Sequence, residues 1–182
     1  MAAQIANSAQ DLRYPIGRYE PPKDISAADR AAWLRDLEEL PENLKRAVTG
    51  LSDPQLDTAY RPGGWTVRQV VHHLPDSHLN SYSRFRLALT EEAPAIEPYD
   101  EAAWAELSDA KSGPIEMSLS LLTALHVRWI TLLRKLSEAD LQRIIRHPEW
   151  GEKTLDWMLG LYAWHSRHHV AHITSLRNRE GW

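Results

Sequence analysis

Four of the nine histidines of this chain fall within one stretch, His165, His168, His169 and His172. A helix turns about 100° per residue, so side chains four apart sit one turn above each other on one face. His165 and His169 have that spacing. Two imidazoles so placed can reach one metal ion, as the paired histidines of an HExxH helix do. They belong to a seam, Met158, Tyr162, His165, His169, His172 and Leu176, whose spacing alternates between four and three residues. That is the pattern of a stripe facing a helical bundle. Buried polar groups need partners, and adjacent imidazoles on a core seam are hard to satisfy with protein groups alone. A metal ion resolves the difficulty; a water-filled cleft is the structural alternative.

A metal held by side chains needs at least a third ligand, and His72-His73 is the place to look. Helical-wheel geometry does not separate these two. Their neighbours do: His73 shares a face with Ser77, Asn80 and Arg84, which are pocket-type residues, whereas His72 shares one with Arg68, Leu79 and Arg86, which reads as a solvated face. The lean is toward His73. Three His ligands suit Zn2+ first, with Ni2+ or Co2+ also compatible, at one divalent ion per subunit. Three ligands leave a position open for water or substrate, as catalytic sites do. A metal there can activate water or bind a substrate thiolate. No carboxylate lies within the metal pattern, so no general base is identifiable. Asp76 can accept an imidazole N–H from outside the ligand set or simply face solvent. Asn80 and Arg84 can hold an anionic substrate group or form an ordinary salt bridge. His168 reads as supporting or surface, and His172 as either a fourth ligand or a donor supporting one. His78 reads as a satisfied core histidine, and His126 and His147 as structural or exposed.

Four long helices must position these residues. The first starts at Ser26, capped with Asp29, and carries Trp33, Leu37, Leu40, Leu44 and Val48, with Pro41 expected to kink or split it. Thr66 and Gln69 form a capping box that opens the second helix, which runs to about Glu91 and contains Pro75. A long connection follows, punctuated by Pro94 and Pro98, with a short helix expected over 100–107. The third helix begins near Pro114. Ser137 and Asp140 cap one further turn, 147–151 is a loop, and Thr154 caps the fourth helix, which runs to about Arg179. No convincing strand pair is visible. The expectation is an all-α four-helix bundle in a single domain, 1–182, with an irregular arm over 1–25 and a long crossover between the second and third helices.

Composition bounds the function. The chain has 182 residues, enough for one domain with a real core. A formal net charge of −4, with the charges interspersed, argues against a nucleic-acid partner. There is no cysteine, which excludes disulfides and thiolate metal sites. No apolar run approaches the length of a membrane span, and the N-terminus lacks a signal-peptide pattern. A cytoplasmic location without membrane contact is the default expectation. Eight Trp against one Phe is unusual. Indole N–H groups seek partners, so several Trp are expected at pocket rims or interfaces.

The chain resembles the DinB-like superfamily, and within it the YfiT-type metal-dependent hydrolases. The resemblance runs through Tyr14-Pro15-Ile16-Gly17, Leu56-Asp57-Thr58, the run from Gly64 to Leu74, Asp76-Ser77-His78, Asn80-Ser81-Tyr82 and Arg84-Phe85. It continues in Leu89-Thr90-Glu91-Glu92, Pro98-Tyr99, Tyr162 to Ser166, His168-His169, Ala171 to Thr174 and Gly181-Trp182. It implies a four-helix bundle with a metal on three His, one from the second helix and two from an HxxxH pair on the fourth. Carried onto this sequence, these are His73, His165 and His169. Pro75 stands where other members can have a different small residue, and should not move His73. The resemblance leaves the reaction open. It is compatible with hydrolysis of a small-molecule substrate by activated water. It is also compatible with S-transfer from a low-molecular-weight thiol such as bacillithiol or mycothiol, where the metal lowers the thiol pKa. A non-enzymatic metal-binding stress-response bundle is the third reading. A homodimer is implied as well.

Overall fold

The computed structural model describes residues 11–182; the first ten residues of the expected arm lie outside the described residues. The helices are α1 (Ala27–Val48), α2 (Asp53–Leu56), α3 (Val67–Thr90), α4 (Glu101–Ala105), α5 (Ser108–Ser112), α6 (Ile115–Leu133), α7 (Glu138–Leu141) and α8 (Leu155–Glu180). Two strands, β1 (Ile144–His147) and β2 (Gly151–Thr154), lie between α7 and α8. The four long helices form the expected bundle: α1 packs on α8 and α6, and α3 packs on α6 and α8.

Local chemistry sets the helix starts. Ser26 and Asp29 exchange bonds in a capping box at α1, and Thr66 and Gln69 do so at α3. Thr154 accepts from the Trp157 N–H and opens α8, which ends on Gly181 in the left-handed region at φ 73°. Pro114 is the N-cap of α6. The connection expected to hold one short helix holds two, α4 and α5.

Two expectations change. Of the kink or split expected at Pro41, the split does not occur: α1 runs unbroken through it, as α3 does through Pro75. A proline inside a helix removes the N–H that would bond the carbonyl four residues back. For Pro41 that carbonyl is Leu37 O, and the His126 ring takes it instead, Nδ1 lying 2.7 Å away. The freed acceptor is satisfied by a neighbouring helix, so α1 continues. Second, 147–151 is more than a loop. β1 and β2 pair antiparallel from Ile144–Thr154 to His147–Gly151. Gly151 sits at φ 68°, the left-handed residue that a three-residue hairpin loop calls for.

The core is in two parts. One holds Trp33, Leu37, Phe85, Trp129, Leu155 and Met158; the other holds Leu44, Val70, Leu74, Leu122, Ile173 and Leu176. On α3 and α8 the boundary between the two parts is occupied by Ser77, His78, His165, His169 and His172. The apolar clusters therefore clamp a polar layer across the bundle. α8 is held against α1 at its start by Arg30, which grips the buried Asp156 at 2.6 Å. Close packing continues at Gly160, where a Cβ would meet the Tyr19 hydroxyl and come within 2.9 Å of the Trp33 ring.

Candidate metal centre

α3 and α8 run side by side through the polar layer, and their facing histidines meet there. The Nε2 atoms of His73 and His165 lie 3.2 Å apart. His73, His165 and His169 each offer a nitrogen, and these nitrogens all lie within 4.8 Å of one another. Nitrogens at about 2.0–2.1 Å from one tetrahedral ion stand about 3.3 Å from each other. The His73–His165 separation fits that geometry. Among the described residues the Nδ1 atoms of His168, His169 and His172 are all buried without a hydrogen-bond partner, so unsatisfied imidazole nitrogens cluster in this layer. The donor set, nitrogens without thiolate or carboxylate, suits Zn2+ or Ni2+.

The electrostatics favour ligand-ready rings. Burial penalises the imidazolium, so it pushes His73 down to about 4 and His165 and His169 well below the ordinary histidine value; neighbouring imidazoles add to each shift. Each ring is neutral at pH 7 and keeps a lone pair.

The three ring faces open into a cavity of about 610 Å3. Trp65 forms part of its wall, 4.7 Å from the His73 ring between centroids. Trp150 lines the far part, stacked on His147 at 3.9 Å. Arg84 also lines the cavity and is only 5% exposed. Its guanidinium lies 5.6 Å from the centre of the Trp150 ring. Among the described residues no carboxylate pairs with it and no side-chain hydrogen bond engages it. Burial, followed by this cation, lowers the pKa of His147. Tyr99 and Ser77 complete the wall near His165, and burial raises the Tyr99 pKa.

The other sequence candidates divide. Asp76 and Asn80 do not line the cavity. Asn80 donates to the Asp76 backbone carbonyl, 2.9 Å, and no hydrogen bond joins the Asp76 carboxylate to an imidazole among the described residues. Spacing along α3 places both near the face of His73 but does not fix which of its neighbours reach the cavity; Ser77 and Arg84 do. His72 is not on a solvated face. It is 6% exposed, with Nδ1 2.7 Å from Ser118 Oγ and Nε2 3.1 Å from Gly113 O. Arg68 beside it is buried against Asp53 and Asp57. The start of α6 and the turn before it cover that face, and Leu79 alone of the apolar neighbours there stays exposed.

His168 is buried, stacked on Trp164 at 4.4 Å, and pushed down to about 3 by burial and then by His172. His172 stacks on Tyr60 at 4.0 Å and bonds Arg13 O through Nε2 at 3.1 Å, so the N-terminal arm is tied to the site. His78 and His126, read as bland, are buried and hydrogen-bonded to each other, and His78 to His165. Of the eight Trp, Trp65 and Trp150 are at the cavity and Trp129 is in the core with an unpartnered Nε1.

Residues 36–173 match the DinB superfamily. The chain belongs to that superfamily. It is 57% identical over 173 residues to YfiT of Bacillus subtilis (strain 168), covering 94% of this chain and 97% of the relative, whose curated name places it provisionally among metal-dependent hydrolases. A relative from Bacillus mycoides (strain KBAB4) with the same provisional name is 54% identical over 173 residues, covering 95% and 99% of the two chains. The solved structure of Bacillus subtilis YfiT, described as a probable metal-dependent hydrolase with an unusual four-helix bundle topology, superposes with a TM-score of 0.91. It is 56% identical and covers 94% of this chain and 98% of that one.

Proposed function

We propose that this protein is a hydrolase that uses one divalent metal ion, Zn2+ ahead of Ni2+, on His73, His165 and His169. The observation that carries the reading is the convergence of three neutral imidazoles, two buried and that of His165 half-buried, without carboxylate or thiolate, at the wall of a cavity. The provisional names of the relatives point to the same class. An ion bound there supplies Lewis acidity and acidifies water at its open position. The chain's residues do the rest. Trp65 and Trp150 wall the cavity with apolar surface. Arg84, a buried cation without a carboxylate partner among the described residues, receives an anionic group on a small-molecule substrate. Arg84 follows His73 by eleven residues on one helix, so their Cα atoms are about 16 Å apart along its axis. The substrate's anionic group therefore sits of order 10 Å from its reacting bond, because the Arg side chain leans back toward the N-terminus.

No helix among the described residues is long and apolar enough to cross a membrane. We place the protein in the cytoplasm, as a homodimer without nucleic-acid or membrane partners. The exposed Met117 and Leu121, one turn apart on α6, support the dimer, which sedimentation at micromolar concentration tests.

The test of the activity is a panel of esters and amides, with and without a distal carboxylate, assayed on zinc-loaded protein beside thiol conjugation to electrophiles. Metal-dependent hydrolysis that favours the carboxylated members, with that preference lost in Arg84→Met, supports the reading. Metal-dependent thiol consumption without hydrolysis replaces it with an S-transferase, and neither activity replaces it with a metal-binding module.

A further inference from the structure

We infer that His126 and His78 are positioning residues: a chain of imidazole hydrogen bonds, started by the backbone carbonyl that Pro41 leaves free, fixes the tautomer of His165 and presents its Nε2 lone pair to the metal. The inference rests on the reading of His165 as a ligand.

Pro41 has no N–H, so Leu37 O lacks its helical donor. His126 Nδ1 lies 2.7 Å from that oxygen. A carbonyl only accepts, so His126 carries its proton on Nδ1. Its Nε2 then has a lone pair and faces His78 Nδ1 at 3.0 Å. His78 donates from Nδ1, which leaves its Nε2 as acceptor for His165 Nδ1 at 3.3 Å. His165 donates from Nδ1 in turn. Its Nε2 is the unprotonated atom, and that is the nitrogen 3.2 Å from His73 Nε2.

Each ring has one nitrogen that must donate and one that must accept, so each carries a single proton and every link has one direction. Reversal would require the Leu37 carbonyl to donate. The chain links four helices, from α1 through α6 and α3 to α8, and His78 and His126 are 0% and 2% exposed. The ring of Trp129 packs edge-on against both, at centroid distances of 5.7 and 5.8 Å, and limits their rotation. A metal-bound histidine commonly donates its other N–H to an acceptor that orients the ring. Here a second imidazole serves as that acceptor, and it is itself oriented by a third.

The first test is the tautomer of each ring in 15N-histidine-labelled protein, read from two- and three-bond 1H–15N correlations at pH 7.5, without metal and with zinc. We expect Nδ1–H on His126, His78 and His165 in both states, the reverse of the form that free imidazole side chains favour in water. Nε2–H on His78 or His126 overturns the inference, whatever the metal does. The second is zinc affinity by chelator competition. His78→Phe should bind zinc about 10–100-fold more weakly, and His126→Phe should weaken it by a smaller factor while moving His78 toward a mixed tautomer. Unchanged zinc affinity in a folded His78→Phe overturns the inference. If a variant fails to fold, the wild-type tautomers still decide. The expected tautomers together with no zinc bound at His165 would sink the metal reading and leave the chain of hydrogen bonds standing.

Discussion

Lowering the pH should unfold the metal-free protein well before its carboxylates titrate. Burial pushes His73, His126 and His172 each down to about 4 from an ordinary value of 6.5. In the unfolded chain each regains the ordinary value. Between pH 6.5 and about 4 the unfolded state therefore binds more protons, and stability falls as pH falls. The stability these neutral rings allow is fully present above pH 6.5. At pH 5 each ring costs roughly 2 kcal/mol, from 1.5 pH units at about 1.4 kcal/mol per unit. Three rings cost roughly 6 kcal/mol, and the other lowered imidazoles, His78, His165, His168 and His169, act in the same direction. Small domains have about 5–15 kcal/mol in total. Urea unfolding followed by circular dichroism at several pH values from 7.5 to 5, after chelation and dialysis, gives the free energy directly. The slope should reach two or more protons per molecule near pH 5.5, and His126→Phe, once corrected for its lower stability, should reduce it by about one. A free energy constant to within about 1 kcal/mol from pH 7.5 to 5 would refute the view that these rings are held neutral by burial.

Asp76 has the opposite linkage. Burial, with the nearby Asp109 charge, raises its carboxyl from 3.8 to about 6. Its folded state holds the proton more tightly, so the penalty of ionising it is felt above pH 6 and vanishes below about 4. Asp76→Asn should stabilise the protein by up to roughly 3 kcal/mol at pH 7.5 and by nothing near pH 4, measured as the difference between variant and wild type in urea. Gly160→Ala should destabilise by about 1–3 kcal/mol, because its methyl group would press on the Trp33 ring of α1; a melting temperature unchanged by the substitution would show that the contact yields.

Much of the bundle was readable in the sequence because its signals are local. Ser26 with Asp29 and Thr66 with Gln69 mark helix starts within one turn, and the seam of α8 shows its buried face by spacing alone. The His165–His169 pair was readable for the same reason. His73 was not fixed by α3 alone, since both histidines of the pair are buried and only the docking of α8 separates them. The parts missed depend on contacts between distant segments. Pro41 predicts a break when α1 is taken alone; the His126 ring that takes the Leu37 carbonyl comes from α6. His78 and His126 looked like filler because their significance lies in facing each other across two helices. Asp76 and Asn80 were placed by spacing along α3, which cannot tell which flank faces the cavity. The hairpin escaped because each strand has only four residues, although Ile144-Ile145 followed at Gly151 by a left-handed glycine was a usable signal.

The central claim is that three histidines from α3 and α8 form one metal site, and metal stoichiometry tests it most directly. Protein loaded with zinc and freed of excess ion should carry one equivalent per chain by atomic emission. His73→Ala/His165→Ala, checked for folding by circular dichroism, should carry none. A full equivalent retained in that double variant would contradict the account.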